Sequence, residues 1–365
     1  MDKKIKSFIE LIIFFFEDLV NIFGRNKRIF IKPNKHPFWK TFTTSPPVKY
    51  LKSVFFAKIY HSFNRFPKYY YGDYIIDCEH ILHLSDSSRD YNFMLKSAKK
   101  IEKKLNSKSC KAIVFPTNGA INECFKYLKR TPNIEKKIYK IPPAFRVKAK
   151  KNYIKLNDNP FTILNIGNKF WGKGTHIALE VFRRLREKYN HDIQMKLVCC
   201  DIPEDYPIPS GVKVIDTPNL TDELRDSLYY NSHLFLFPCL HDSFGVYLES
   251  LAYGLPMLST KIYDKSEIVI HGQTGYLFET PISLYDGQFG IKWKNWNEFQ
   301  EIIISSFYDG VFETLINEMK FKIEELISNP SLLKELSFNS QQFCKNELTI
   351  QNKNKLLKNL YYKCY

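Results

Sequence analysis

Short apolar runs and longer amphipathic stretches alternate along most of this chain, a pattern of buried strands separated by surface helices. The run Tyr74–Ser85 (YIIDCEHILHLS) reads as a buried strand with a polar tip, and Lys111–Thr117 (KAIVFPT) as a second strand. A helix follows through Cys124 and Leu128, and KKIYKIPPAF reads as a strand closed by Pro142 and Pro143. The rhythm is clearer further on: strands at Phe161–Gly167, QMKLVCC, VKVIDTP, Leu234–Pro238 and PMLST enclose helices at Thr175–Tyr189, TDELRDSLYY and Gly245–Gly254. Thr221 suits an N-cap, with Asp222 and Glu223 in the first turn after it. From about Asn295 the pattern is helical to the end. Strand–helix alternation of this kind predicts parallel sheets of doubly wound α/β type.

Length and composition agree with two packed domains: 365 residues, 44% hydrophobic, with a formal charge of +16. The charge is unevenly placed. Residues 1–150 hold 31 Lys and Arg against 12 Asp and Glu, whereas residues 151–365 hold 23 against 26. Leu19 to Gly72 contains no acidic residue, and its basic residues are interleaved with aromatics. That texture suits an anionic membrane surface or a nucleic acid, and also a solvated basic face over an aromatic core. Glycine divides the other way, eleven of fourteen lying after residue 150, so an anion-binding loop is expected there. The eight cysteines show no metal-ligand spacing and read as reduced, buried thiols, consistent with a cytoplasmic location. The apolar run Leu11–Phe16 is too short to span a bilayer, and the acidic residues around it argue against a signal peptide.

Two constellations carry candidate chemistry. The loop Gly167–Gly174 (GNKFWGKG) joins a strand to a helix, at the sheet edge where open α/β folds bind ligands, and brings Lys169 and Lys173 there. Its spacing is neither a P-loop nor a GxGxxG dinucleotide loop. The second, Phe237–Pro256, runs from a buried strand through a polar loop into a helix starting near Phe244 and Gly245. Glu249 lies about one turn inside that helix, and a carboxylate beside an anion site is suited to chelating a ribose diol.

These two segments, followed by KSEIVIHGQTGYLFE (Lys265–Glu279), resemble the retaining GT-B glycosyltransferases of family 4, the glycosyl transferases group 1 class. The resemblance implies two Rossmann-like parallel-sheet domains facing across a cleft, with a helical C-terminal extension. Residues 1–148 would form a basic acceptor-side domain with an atypical helical start, 149–340 the nucleotide-sugar domain, and 341–365 a helix packing back toward the first. It implies sugar transfer from a nucleoside diphosphate donor to a glycan or lipid-linked acceptor. Lys173 would neutralise the diphosphate, aided by Gly167, Asn168 and Lys169. Ser243, Phe244, Gly245 and Val246 would cradle it, Glu249 would hold the ribose, and Leu220 would contact the base.

The family arginine is Asn168 here, and the segment before Glu249 is one residue shorter than the usual pattern. The group meeting the transferred sugar is therefore His241 by counting or Asp242 by type. The tip Cys78-Glu79-His80 resembles an acidic-His tip in some members, which makes Glu79 and His80 candidates at the reacting centre. No DxD triplet occurs, so no metal is expected and no cofactor besides the donor. The expected partners are the donor, the acceptor and an anionic membrane surface met peripherally through residues 1–72. A sugar-nucleotide-binding protein without transfer is the rival reading. Nucleic-acid binding ranks below both because no recognised module is present.

Overall fold

The computed structural model describes residues 20–24, 27–31, 59–67, 72–85, 91–145, 160–216, 220–241, 243–286 and 290–364. The chain forms two compact units, Met1–Ile141 with Lys358–Tyr365, and Pro142–Leu357.

In the first unit six strands lie side by side in chain order: β1 (Val20–Gly24), β2 (Lys27–Ile31), β3 (Ile59–Phe63), β4 (Asp73–Asp77), β5 (Cys110–Phe115) and β6 (Ile138–Lys140). The first pair is antiparallel and the rest are parallel. The apolar pattern places the first strand of this half at Tyr74, yet β1, β2 and β3 precede it within the acid-free basic segment. Most of residues 1–72, including the expected helical start and membrane contact, lies outside the described residues.

Helix α1 (Tyr91–Asn106) buries Ile101 and Leu105, one turn apart, and leaves Lys96, Lys99, Lys100 and Lys103 exposed. Helix α2 (Asn118–Tyr127) starts where Thr117 accepts from Ala120 N at 3.1 Å. A turn of helix, α3 (Pro132–Glu135), precedes β6. The chain end belongs to this unit through buried Tyr361, whose hydroxyl lies 2.8 Å from His61 Nδ1.

The second unit is wholly parallel. Its strands are β7 (Phe161–Ile166), β8 (Ile193–Val198), β9 (Val212–Ile215), β10 (Leu234–Phe237), β11 (Met257–Thr260) and β12 (Gly275–Phe278), in the order β12-β11-β10-β7-β8-β9. Helices α4 (Thr175–Tyr189), α5 (Asp222–Tyr230) and α6 (Gly245–Tyr253) connect strands. Four more follow: α7 (Trp296–Tyr308), α8 (Glu313–Ser328), α9 (Pro330–Glu347) and α10 (Ile350–Cys364). Burial of β10 on both faces accounts for its uninterrupted apolar sequence, and β7 and β11 are buried almost throughout even at Thr162, Asn165, Ser259 and Thr260. None of the cysteines forms a disulfide, and burial pushes the thiols of Cys110 and Cys199 up to about 12.

The chain leaves β7 toward β8 and β9 on one side, then returns to β10 on the other. Where strand order reverses in this way, two adjacent connections depart in opposite directions and leave a crevice at the carboxyl ends. Backbone pairing between β7 and β10 stops after Leu234↔Ile163 and Phe235↔Leu164. Beyond it Asn165 takes over: its Nδ2 donates to Leu236 O at 2.6 Å, and its Oδ1 accepts from Thr175 Oγ1 at 3.3 Å. One fully buried amide thus ties both strands to the start of α4. Replacing Asn165 by Ala strands these groups without partners, and we expect a loss of about 1–3 kcal/mol in urea unfolding. Asn165→Asp, which offers Leu236 O no amide donor, should not recover it.

Candidate active site at the strand-order reversal

Both glycine-bearing loops open at this crevice. The loop after β7 is held by backbone bonds from Gly167 N to Val198 O (2.9 Å) and Lys173 N to Lys169 O (2.7 Å), and by Phe170 N donating to Asp201 Oδ1 (3.0 Å). Two of its glycines are required by contact. A Cβ on Gly167 would lie 2.8 Å from Cβ of Lys173, so the missing side chain is what lets the lysine stem pack there. At Gly174, φ is +70° and a Cβ would fall 1.8 Å from Pro238 O, against the loop after β10. Leu240 N, donating to Gly172 O at 3.0 Å, completes the junction of the two loops.

Lys173 is half-buried with Nζ 5.9 Å from the Phe237 ring centroid. Exposed Lys169 places its Nζ 4.3 Å over the ring of Trp296, and Asn168 is exposed beside it. The loop therefore carries two cations at the carboxyl end of β7.

Helix α6 begins at Gly245 with no side-chain cap on its first turn, and Ser243, Phe244, Gly245 and Val246 are all partly exposed. The first N–H groups of an uncapped helix start can donate to an anion. Leu220 packs on the same apolar cluster as Phe244 and Val246. One turn into the helix, Glu249 is 5% exposed, accepts from Tyr229 Oη at 2.8 Å and lies 3.8 Å from Arg225 Nε. Tyr229 is itself clamped face to face on Tyr253, centroids 4.8 Å apart. His241 is buried edge-on against Trp296, centroids 5.1 Å apart. Its alternative, Asp242, lies outside the described residues.

Glu79 and His80 belong to the first unit. The His80 ring is buried with Nδ1 3.2 Å from Glu123 Oε2, an oxygen that also accepts from Ile81 N. Glu79 is partly exposed and bound twice by Asn64, through its N–H (2.8 Å) and its Oε2 (3.0 Å). Among the described residues no cluster of three or more His, Cys, Asp or Glu is placed to hold a metal ion. No helix there is long and apolar enough to cross a membrane.

Several supporting residues escaped the sequence reading: Glu123 under His80, Arg225 and Tyr229 on Glu249, and Trp296 under Lys169. For Glu123 the signal was an acid inside an otherwise apolar helix face. Trp296, more than 120 residues downstream of Lys169, offered none.

Residues 147–285 match the family model described as glycosyl transferases group 1. The capsular polysaccharide biosynthesis glycosyltransferase CapM of Staphylococcus aureus is 27% identical over 36% of this chain and 36% of its own length. For the lipopolysaccharide glucosyltransferase WaaG of Escherichia coli the figures are 26%, 39% and 39%. The aligned region thus spans little more than a third of either relative. Similarity of fold extends further. A solved glycosyltransferase from Rickettsia africae superposes with a TM-score of 0.58 over 91% of this chain and 82% of its own, at 15% identity. Anabaena Alr3699/HepE in complex with UDP gives 0.57 over 86% and 81%, at 12% identity. The α/β architecture is the one these glycosyltransferases adopt.

Burial lifts the Glu249 carboxyl above the ordinary carboxylate range, against the opposing pull of Arg225 and Tyr229. The folded form then holds a proton more tightly than the unfolded form. Stability tied to this group is present at low pH and is lost as pH rises from the unfolded value, about 4.3, through the raised folded one. Glu249→Gln is accordingly expected to melt higher than the parent at pH 7, with the difference closing below about pH 4. Melting curves across that range check it.

Proposed function

We propose that this chain is a retaining glycosyltransferase of family 4 that moves a sugar from a nucleoside diphosphate donor to a glycan or lipid-linked acceptor. The observation that carries the reading is the meeting, at one strand-order reversal, of a two-lysine glycine loop, an uncapped helix start and a buried carboxylate one turn inside that helix. A diphosphate fits the first two. A ribose diol fits the third, because its hydroxyls can donate to a carboxylate whose charge would repel a further phosphate.

The chemical barrier in this reaction is departure of the diphosphate from an oxocarbenium-like carbon. Positive groups aimed at the leaving oxygens accelerate it when they are already in place. Lys173 is assigned that role, its stem seated in the space left by Gly167. Lys169 is assigned the charge that Asn168 lacks, and the amides from Gly245 onward are assigned to the cradle. Glu249 positions the nucleotide and Leu220 borders the base. His241 or Asp242 meets the transferred sugar, and Glu79 and His80 serve the acceptor side. The lysines and the helix start supply the charge that a metal would otherwise bring, so the reaction is assigned as metal-independent.

UDP-glucose and UDP-N-acetylglucosamine are the first donors to test, since solved relatives of this fold are described with UDP. In isothermal titration, Lys173→Ala and Glu249→Ala should each weaken donor binding by at least about tenfold, roughly 1.4 kcal/mol. Turnover should persist in EDTA. Near-parental affinity in both variants would remove the site assignment.

The basic first half suits an anionic acceptor or the membrane that bears it, and the exposed lysines of α1 extend that character into the described residues. Cosedimentation with phosphatidylglycerol vesicles is expected at low salt and should be lost in high salt. Equal recovery with neutral vesicles would refute it.

A further inference from the structure

The turn after β11 carries a feature that the assigned site does not use. Tyr263 has φ +50°, a left-handed backbone that bulky residues rarely adopt and glycine adopts freely. Such an outlier persists only where its surroundings over-determine it, and it concentrates at functional positions.

The surroundings here are rigid. The next two residues, Asp264 and Lys265, form an ion pair at 3.0 Å with both side chains fully buried. Lys265 Nζ lies 4.8 Å from the Phe244 ring and 5.0 Å from the Tyr247 ring, so the turn is locked directly to the first turn of α6. On its other side Tyr263 stacks on Tyr285, centroids 4.5 Å apart and planes 28° apart. Tyr285 is buried, and its neighbour Leu284 donates to Leu240 O at 2.8 Å in the loop after β10. Tyr263 itself is half-exposed. The pair is thus anchored at both ends to the segment that leads into the phosphate-cradling helix. The supporting ring is buried beneath and the upper ring remains accessible.

We infer that Tyr263, backed by Tyr285, is the stacking platform for the pyranose ring of the donor sugar, and so a specificity-determining residue. This rests on the glycosyltransferase reading. The C–H face of a pyranose is apolar and slightly positive, matching the negative face of an aromatic ring. A sugar joined to a diphosphate at Gly245 needs such a surface at the carboxyl edge of the neighbouring strand, which is where β11 delivers Tyr263. Aromatic contact also explains why a side chain is kept at a position whose backbone favours glycine.

The test compares UDP with UDP-glucose and UDP-N-acetylglucosamine by titration calorimetry on the full chain. Tyr263→Gly should keep the parental Kd for UDP, yet weaken the better-bound UDP-sugar about fivefold to tenfold, the size of one aromatic contact. Tyr263→Phe should retain UDP-sugar binding. Glycine relieves the backbone while losing the stack on Tyr285, and an unchanged Kd for UDP shows that the variant's site is folded, so a folding defect cannot mimic the result. Equal weakening of UDP and UDP-sugar, or no weakening of either, overturns the platform while leaving the nucleotide site standing. A parent chain that binds neither UDP nor UDP-sugar overturns the glycosyltransferase reading and the platform together.

Discussion

The site depends on the divergence of two neighbouring strands and on the one side chain that spans the gap. β7 and β10 are paired for only two residues, and then Asn165 reaches across to Leu236 O and back to Thr175. A backbone ladder carried further would hold the strand ends together and close the crevice. An apolar residue at Asn165 would leave a buried carbonyl unsatisfied. The amide does neither, so the strands separate at a defined point and both loops start from fixed positions. The contact of Gly174 with Pro238 O then sets the loops against each other.

Each unit buries more ionisable groups than packing alone would favour. Glu249, the Asp264–Lys265 pair and the His80–Glu123 pair are all nearly or fully out of solvent. Each is costly to desolvate, and a buried ion pair seldom stabilises a fold beyond what apolar residues of the same volume would supply. In the second unit Glu249 lies one turn inside α6 and Lys265 rests on the rings of Phe244 and Tyr247; in the first unit His80 follows the end of β4. Groups paired out of solvent keep a fixed orientation.

Much of this was legible along the chain because it is local. The loop Gly167–Gly174 announces itself by three glycines and two lysines within eight residues, and the start of α6 by a glycine after an apolar strand and a polar loop. Strand and helix succession followed from periodicity, since buried strands are mostly apolar and surface helices are amphipathic. β1 and β2 were missed because VNIFG and KRIFI are short, and Asn21, Gly24, Lys27 and Arg28 leave neither clean alternation nor a long apolar run. Tyr263 was equally silent, since nothing in KIYDKSE reports a left-handed backbone.

The sequence by itself determined the class of fold, the order of its elements and the residues that could carry charge to a phosphate. These follow from spacing and side-chain chemistry within a few residues. Tertiary structure alone decided which of them share a place: Glu249 with Tyr229 and Arg225, Lys169 with Trp296, His80 with Glu123, and Tyr263 with Tyr285. The physical reason is that burial and pairing are long-range. A carboxylate one turn into a helix reads the same whether it faces water or a tyrosine twenty residues away, and only the packed chain distinguishes them.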